Sequence, residues 1–237
     1  MRNISVLAQK EFKAYFVSPM AYAILVFYLL ITGFIFFVQK SPTPAAADLA
    51  GLPGSMIFLL IFVSPIVTMR LIAEEVSSGT MELLMASPVR TVDIVLGKYL
   101  GALGFYVVML LLTLEFPIFV ELFGDPDRLP ILAAYIGVFL AGASFLAVGL
   151  FTSALTRSQV AAALFCLVIL LVFWLIGFLA TSAPPGHWLG QFLRYISVFE
   201  RLQDFEEGTL DSRSVLYFVS IAAFFLYGSV LLLQARR

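Results

Sequence analysis

Six long apolar stretches, each bounded by charged residues, dominate the hydrophobic pattern of the chain. The stretches are residues 14–39, 49–69, 99–120, 129–156, 158–193 and 214–235. A helix needs about 20 mostly apolar residues to cross the hydrocarbon core of a bilayer, so each stretch can hold one transmembrane helix. Pro184, Pro185 and Gly186 break the fifth stretch, and its helix is expected to end near Thr181. The pattern predicts six transmembrane helices, at about 19–38, 52–71, 97–120, 130–152, 159–181 and 213–234.

Residues 2–17, before the first apolar stretch, alternate charged and apolar positions. The apolar residues recur at nearly helical spacing and are Ile4, Leu7, Ala8, Phe12 and Tyr15. Lys10 and Lys13 fall on the more polar face, which would be directed towards water. This pattern predicts an amphipathic helix that lies in the membrane interface. The alternative is an ordinary charged leader in front of a transmembrane helix.

Residues 70–98 form the longest connection on their side of the membrane. Its first seven residues are expected to extend the second transmembrane helix into water. Ser77, Ser78 and Gly79 weaken that helix, because serine and glycine have low helix propensity. A separate short helix is predicted over 80–88, since Thr80 can cap its start and the Ser87-Pro88 pair ends it.

This short helix carries an unusual number of apolar side chains for an element outside the bilayer. They are Met81, Leu83, Leu84 and Met85. Exposed apolar side chains of this kind indicate a partner surface. We expect them to insert into a groove on a soluble subunit; the alternative is that they fold back onto the membrane surface.

On the other side of the membrane, residues 182–212 carry aromatic and aliphatic residues at intervals of three and four. They predict one or two helices in the outer leaflet, or a small cap bound to another subunit. Glycines in or near the transmembrane helices are expected to allow close helix contacts. These glycines are Gly33, Gly101, Gly104, Gly137, Gly142 and Gly149.

Glu115 is the only charged residue inside the six apolar stretches. It follows Lys98 by 17 residues, and at about 1.5 Å per residue this places it near the outer boundary of the bilayer. We expect its carboxylate to reach the outer headgroups; the alternative is that it lines a pathway or pairs with a neighbouring chain. Pro117 is expected to bend this end of the helix.

Composition excludes a soluble protein. The 237 residues are 62% hydrophobic and 12% charged, whereas soluble domains are about half apolar and about a quarter charged. A soluble fold of this size cannot bury so much apolar surface. The expected fold is therefore an all-α integral membrane protein with a single transmembrane domain over 1–237. The net charge of −1 provides no bulk attraction to nucleic acid, and no nucleic-acid partner is expected.

The sequence offers little for catalysis. The single cysteine, Cys166, excludes an intrachain disulfide, and the single histidine, His187, cannot form a two-histidine metal centre. Neither a nucleotide-binding G-x-x-x-x-G-K-[ST] motif nor a G-x-S-x-G nucleophile motif occurs. We expect a chain that is not an enzyme, with no catalytic residue, cofactor or metal of its own.

The distribution of basic residues predicts the orientation. Six helices place both termini on one side, and that side carries nine of the 14 lysines and arginines. The opposite side carries nine of the 15 acidic residues. Because cytoplasmic loops carry the excess of Lys and Arg, both termini are expected in the cytoplasm.

Three segments together resemble permeases of the ABC-2 type, and most of all their gliding-motility (Gld-like) branch. They are KEFKAYFVSPMAYAI (10–24), EEVSSGTMELLMASPVRTVDIVLGKYLGA (74–102) and the tail from 195 to 237. The most specific pattern is E-E-x-x-x-G-T-x-E-x-L-x-x-S-P-V, which begins at Glu74 and ends at Val89. Glu115 departs from the family, in which an uncharged residue is usual.

The resemblance implies a six-helix subunit in the inner (plasma) membrane that pairs with an identical or different second permease chain. It implies two cytoplasmic ABC ATPase subunits that bind ATP and Mg, and an auxiliary membrane subunit with an extracytoplasmic domain. Residues 80–88 would be the coupling helix, and the N-terminal helix would brace the ATPase contact. The implied ATPase-coupling residues are Glu74, Glu75, Gly79, Thr80, Met81, Glu82, Leu83, Leu84, Met85, Ser87 and Pro88.

Two other classes of function remain open on the sequence. A secondary transporter or channel built from two three-helix repeats would show internal symmetry and buried ionisable residues. Neither is found, apart from Glu115. A membrane scaffold without transport activity would have no co-purifying ATPase.

Overall fold

The fold is given by a computed structural model that describes residues 2–39, 51–86, 89–123, 127–182, 197–206, 208–209 and 211–235. Within these ranges the secondary structure is helical, without strands. The helices are α1 (Arg2–Val17), α2 (Pro19–Gln39), α3 (Leu52–Thr68), α4 (Ala73–Ser77), α5 (Thr80–Ala86), α6 (Thr91–Leu112), α7 (Glu115–Phe123), α8 (Arg128–Leu155), α9 (Gln159–Ser182), α10 (Val198–Glu206) and α11 (Ser212–Ala235).

Six helical stretches of the described chain are long and apolar enough to cross a membrane. They are Pro19–Val38, Leu52–Ser77, Thr91–Leu122, Arg128–Leu155, Gln159–Leu179 and Ser212–Ala235. The predicted fold class is confirmed: the chain is an all-α integral membrane protein. The bundle has two ends, and we call the one that carries α1, α4 and α5 the α5 end.

Helix α8 lies at the centre of the bundle and packs against α3, α6, α9, α10 and α11. Small residues on α8 allow this contact, because membrane helices associate mainly through close packing. A Cβ atom at Gly142 would overlap the Tyr106 ring, and one at Gly149 would overlap the Thr68 side chain. The expected close contacts are therefore found at these glycines. Gly33 differs, because a Cβ atom there would lie at an ordinary 3.7 Å from Phe116.

The second transmembrane stretch is interrupted at the α5 end. A continuous helix was expected through residue 71 and on into water, but α3 ends at Thr68 and α4 begins at Ala73. The Ser153 hydroxyl of α8 accepts the backbone N–H groups of Ile72 and Ala73, both at 3.0 Å, and donates to the Met69 carbonyl at 3.1 Å. A side chain inserted in this way replaces the helical hydrogen-bond ladder and bends the chain.

The third stretch is interrupted at its far end. A single helix was expected over 97–120 with a bend at Pro117, whereas α6 ends at Leu112 and α7 begins at Glu115. Proline has no N–H, and its ring clashes with the carbonyl four residues earlier, which belongs to Thr113. The Tyr135 hydroxyl of α8 donates to that carbonyl at 2.8 Å, so the break is satisfied by a neighbouring helix.

Helix α10 lies between the fifth and sixth transmembrane helices and docks on the bundle. Its apolar residues Val198, Leu202 and Phe205 are buried. A Cβ atom at Gly137 would lie 2.8 Å from the Phe205 ring, so this glycine also permits a close contact. One of the helices expected over 182–212 is thus observed, and residues 183–196 lie outside the described residues.

Candidate functional site

The α5 end of the bundle is built on a glycine groove in α6. Cβ atoms at Gly97 and Gly101 would lie 2.6 Å from the Leu7 Cβ and 2.5 Å from the Glu11 Cβ, respectively. Such distances require glycine, so the backbone of α1 rests directly on α6. Helix α1 was expected to lie in the membrane interface, and in the structure α6 covers one of its faces. Gly97 and Gly101 form the G-x-x-x-G spacing of close helix pairs, a signal that the sequence reasoning missed.

A buried lysine joins three helices beside this groove. The Lys98 side chain of α6 is 1% exposed. Its Nζ lies 2.9 Å from Glu11 Oε1 of α1 and 2.7 Å from Glu75 Oε1 of α4. A charge removed from water must be paired, and two carboxylates meet that need for Lys98. We call these residues the Lys98 triad.

The Lys98 triad carries one more negative charge than positive charge. The side chains of Glu11 and Glu75 are 15% and 19% exposed, so both are largely withdrawn from water. Among the described residues, the second carboxylate oxygen of Glu75 is buried without a hydrogen-bond partner. Removal of either acid would therefore leave a neutral pair, whereas removal of Lys98 would leave two buried anions.

Tyr15 fastens α1 to the end of α3. Its hydroxyl donates to the Val67 carbonyl at 2.8 Å, and its ring stacks on Phe105 with centroids 4.8 Å apart. The Leu71 N–H, which would bond to this carbonyl in a continuous helix, donates to Thr68 instead. Burial, with a smaller contribution from the Glu11 charge, raises the pKa of Tyr15 well above its usual value, so the hydroxyl stays a donor.

An open cavity of about 610 Å³ lies between α1, α4, α5 and α6. Lys98, Glu11 and Glu75 line it together with the apolar side chains of Leu71, Leu83 and Leu84. At its rim the Arg70 guanidinium pairs with Glu74 at 3.0 Å, an exposed contact of little energetic value. The cavity combines a polar interior with an apolar edge on α5.

Gly79 separates α4 from α5 by a left-handed turn. Its φ of 73° is accessible to glycine at little cost, which explains why the sequence places glycine there. Thr80 then begins α5, with Glu82 in its first turn, where an acid interacts favourably with the helix dipole. The helix was expected over 80–88 and is observed over Thr80–Ala86; Ser87 and Pro88 lie outside the described residues.

The apolar residues of α5 divide between two faces. Met81 is buried in the core at 4% exposure, and Leu84 and Met85, three and four residues later on the same face, are half-buried. Leu83 points away and is 75% exposed. The expectation of four exposed apolar side chains is wrong for Met81, because this face of α5 seats the helix on the bundle.

Glu115 lies far from this site. Its exposed side chain is in the first turn of α7, at the end of the bundle opposite α5. A carboxylate is favourable at a helix N-terminus. In the structure Glu115 is not close to the other acidic residues predicted for the site, Glu74, Glu75 and Glu82.

Sequence reasoning also missed the roles of Lys98, Glu11 and Ser153, since each depends on a partner many residues away. Within the described ranges, no group of three or more His, Cys, Asp and Glu side chains could hold a metal ion. His187 lies outside those ranges.

A family model described as an ABC-2 family transporter protein matches residues 38–199, more than half of the chain. The match includes α3 to α9 and therefore the α4–α5 segment and Lys98. No curated protein matches the chain.

Proposed function

The chain belongs to the ABC-2 family of transporter proteins, and on that premise we propose that it is the permease subunit of an ABC transporter. Separate cytoplasmic ATPase subunits, which bind ATP and Mg²⁺, would drive export or conformational work across the membrane. The permease would pair with a second permease chain, identical or different. In this proposal the chain itself performs no hydrolysis.

Helix α5 is the proposed coupling helix, and the observation that carries this assignment is the exposure of Leu83. A leucine that is 75% exposed beside a cavity of about 610 Å³ offers an apolar knob and an adjacent recess. Apolar surface of this kind is typical of protein contacts. Leu83 and the exposed part of Leu84 would contact the ATPase, while Met81 and Gly79 would set the position and direction of α5.

The charge distribution supports a cytoplasmic location for the α5 end. Nine of the 14 basic residues fall on that side of the predicted topology, and the inner membrane is the proposed location. The E-E-x-x-x-G-T-x-E-x-L-x-x-S-P-V pattern favours the gliding-motility (Gld-like) branch, and with it an auxiliary membrane subunit. In such a complex the auxiliary subunit would contact α10 and the outer loops.

The proposed pathway runs between the first, second and fifth transmembrane helices (α2, α3 and α9) of two paired permease chains. Aromatic rings bridge α3 and α9 along this surface: the Phe58 and Trp174 centroids are 5.4 Å apart, and Phe58 and Phe62 are also 5.4 Å apart. Phe58, Phe62 and Trp174 are each 39% exposed in the isolated chain. An aromatic, uncharged surface suits amphipathic or lipid-like cargo better than small ions.

Substitution of Leu83 tests the coupling assignment. Leu83→Asp should abolish co-purification of the ATPase, or its stimulation by the permease, because a charge would replace the apolar knob. Membrane insertion and thermal stability should stay unchanged, since Leu83 has little contact with the bundle. The matched control is Val92→Asp, which adds a charge at a 42% exposed apolar position in the first turn of α6.

The ATPase should be retained by Val92→Asp and lost from Leu83→Asp. If Leu83→Asp binds the ATPase and supports ATP hydrolysis as well as the unmodified chain does, α5 is not the coupling helix. If the complex purified from native membranes contains no ATPase, the result would instead favour a membrane scaffold or a secondary transporter.

A further inference from the structure

A break in the second transmembrane stretch separates the α4–α5 segment from α3. Helix α3 ends at Thr68, and the Ser153 hydroxyl of α8 holds the turn over 69–72 by hydrogen bonds. A push on α5 therefore cannot pass along a single rigid rod into α3. The position of α4 depends instead on the side chains that fasten it to its neighbours.

Among these fastenings, the Lys98 triad joins charged side chains on three helices. Glu75 projects from α4, Glu11 from α1, and Lys98 from α6, with both ion pairs at 2.9 Å or less. Lys98 is 1% exposed while the triad is assembled, so the two carboxylates, and not water, are its partners. Separation of α4 from α1 would leave buried charge unpaired, so the triad resists that movement.

Helix α1 is in turn closely attached to the bundle. Its Leu7 and Glu11 lie against Gly97 and Gly101, and its Tyr15 hydroxyl bonds to the Val67 carbonyl. It also leads directly into α2 through the single residue Ser18. A movement passed from α4 to α1 would therefore reach the first and third transmembrane helices, and also the end of α3 through Tyr15.

We propose that Lys98 is a positioning residue that makes α1 and the α4–α5 segment move as one unit. When the ATPase displaces α5, the movement would enter the bundle through α1 and α6 rather than along α3. This role depends on the permease function proposed above. In this role Lys98 acts through Glu75 and Glu11.

Distances between spin labels on the intact complex test this role. Labels are placed at exposed positions: Val6 on α1, Ser77 on α4 and Arg157 beyond α8, with the buried Cys166 replaced by alanine. The labelled chain is diluted into unlabelled chain, so that each distance lies within one subunit. Each distance is measured with the co-purifying ATPase, both free of nucleotide and with ATP trapped by vanadate.

When the triad is unmodified, the distance between the labels at positions 6 and 77 should stay constant on ATP binding. The distance between the labels at positions 6 and 157 should change. Glu75→Met cuts the link to α4 and leaves the neutral Lys98–Glu11 pair, so the fold should persist. In this variant the 6–77 distance should change and the 6–157 distance should stay constant. Glu11→Met keeps the Lys98–Glu75 pair, which still joins α4 to α6, so its 6–77 distance should change less than that of Glu75→Met. Lys98→Arg should retain the original pattern.

Lys10→Met is the matched control, because Lys10 lines the same cavity but belongs to neither ion pair of the triad. It should leave both distances as in the unmodified protein. The positioning role is contradicted if Glu75→Met shows the distance changes of the unmodified chain. Failure of the permease function itself would look different, because no ATPase would then co-purify with the unmodified chain.

Discussion

Two of the six transmembrane stretches are interrupted, and the two interruptions have different origins. The break after α6 has a local cause, since Pro117 removes an N–H and excludes the Thr113 carbonyl from the helix. The break after α3 contains no proline in residues 69–72. It is held by Ser153 of α8, and the Val67 carbonyl beside it is taken by Tyr15 of α1.

This difference separates a fixed bend from an adjustable joint. A proline imposes its geometry whatever its neighbours do, whereas a turn held by other helices can change when those helices move. The adjustable break lies at the α5 end, next to the Lys98 triad and the proposed ATPase contact. The fixed break lies at the opposite end, where Tyr135 satisfies one carbonyl.

The largest effect should come from Lys98. Lys98→Met leaves two buried carboxylates without a cation, and breaking a buried ion pair in this way costs about 3–5 kcal/mol. Thermal unfolding in detergent micelles should show a strongly lowered midpoint or no folded protein. Lys98→Arg should keep most of the stability, because the guanidinium can serve both acids. A Lys98→Met variant as stable as the unmodified chain would show that the triad does not fasten α4.

A direct comparison of the two breaks comes from removing one hydroxyl at each. Ser153→Ala strands two backbone N–H groups, which should cost about 1–3 kcal/mol and loosen the 69–72 turn. Tyr135→Phe removes one hydrogen bond and should cost about 0.5–1.5 kcal/mol, with the Pro117 break unchanged. Hydrogen exchange of the amides around each break would measure both effects. Equal loosening at the two sites would contradict the distinction.

The six crossings could be predicted from the sequence because their signal, about 20 apolar residues in a row, is local. The short helix after Gly79 was also predictable, since glycine and Thr80 mark its start. The Ser153 joint and the Lys98 triad could not be derived. Ser153 meets Ile72 across 81 residues, and Lys98 meets Glu11 across 87 residues, so no local pattern announces either contact.

The burial of Met81 also could not be predicted from the local sequence. Spacing places Met81, Leu84 and Met85 on one face and Leu83 on another. Only the packing of α5 against the bundle decides which face is covered. The outcome narrows the proposed ATPase contact from four apolar residues to Leu83 with part of Leu84.

An effect as small as that of Tyr135 is expected at Tyr15, which sharpens the account of the adjustable break. Tyr15→Phe removes the hydrogen bond to Val67 and should cost about 1 kcal/mol. The raised pKa means that the folded state keeps the proton when the unfolded tyrosine, with a pKa of about 10, begins to lose it. The cost should therefore be constant below about pH 9 and shrink at higher pH. A cost that grows above that pH would contradict the burial of the hydroxyl.

Photo-crosslinking from position 83 tests the central claim most directly. A photoreactive amino acid replaces Leu83 in the full chain, native membranes are irradiated, and the products are identified by mass spectrometry. We expect a crosslink from α5 to an ABC ATPase. Crosslinks to lipid or to the chain itself alone would contradict the assignment of α5 as the coupling helix.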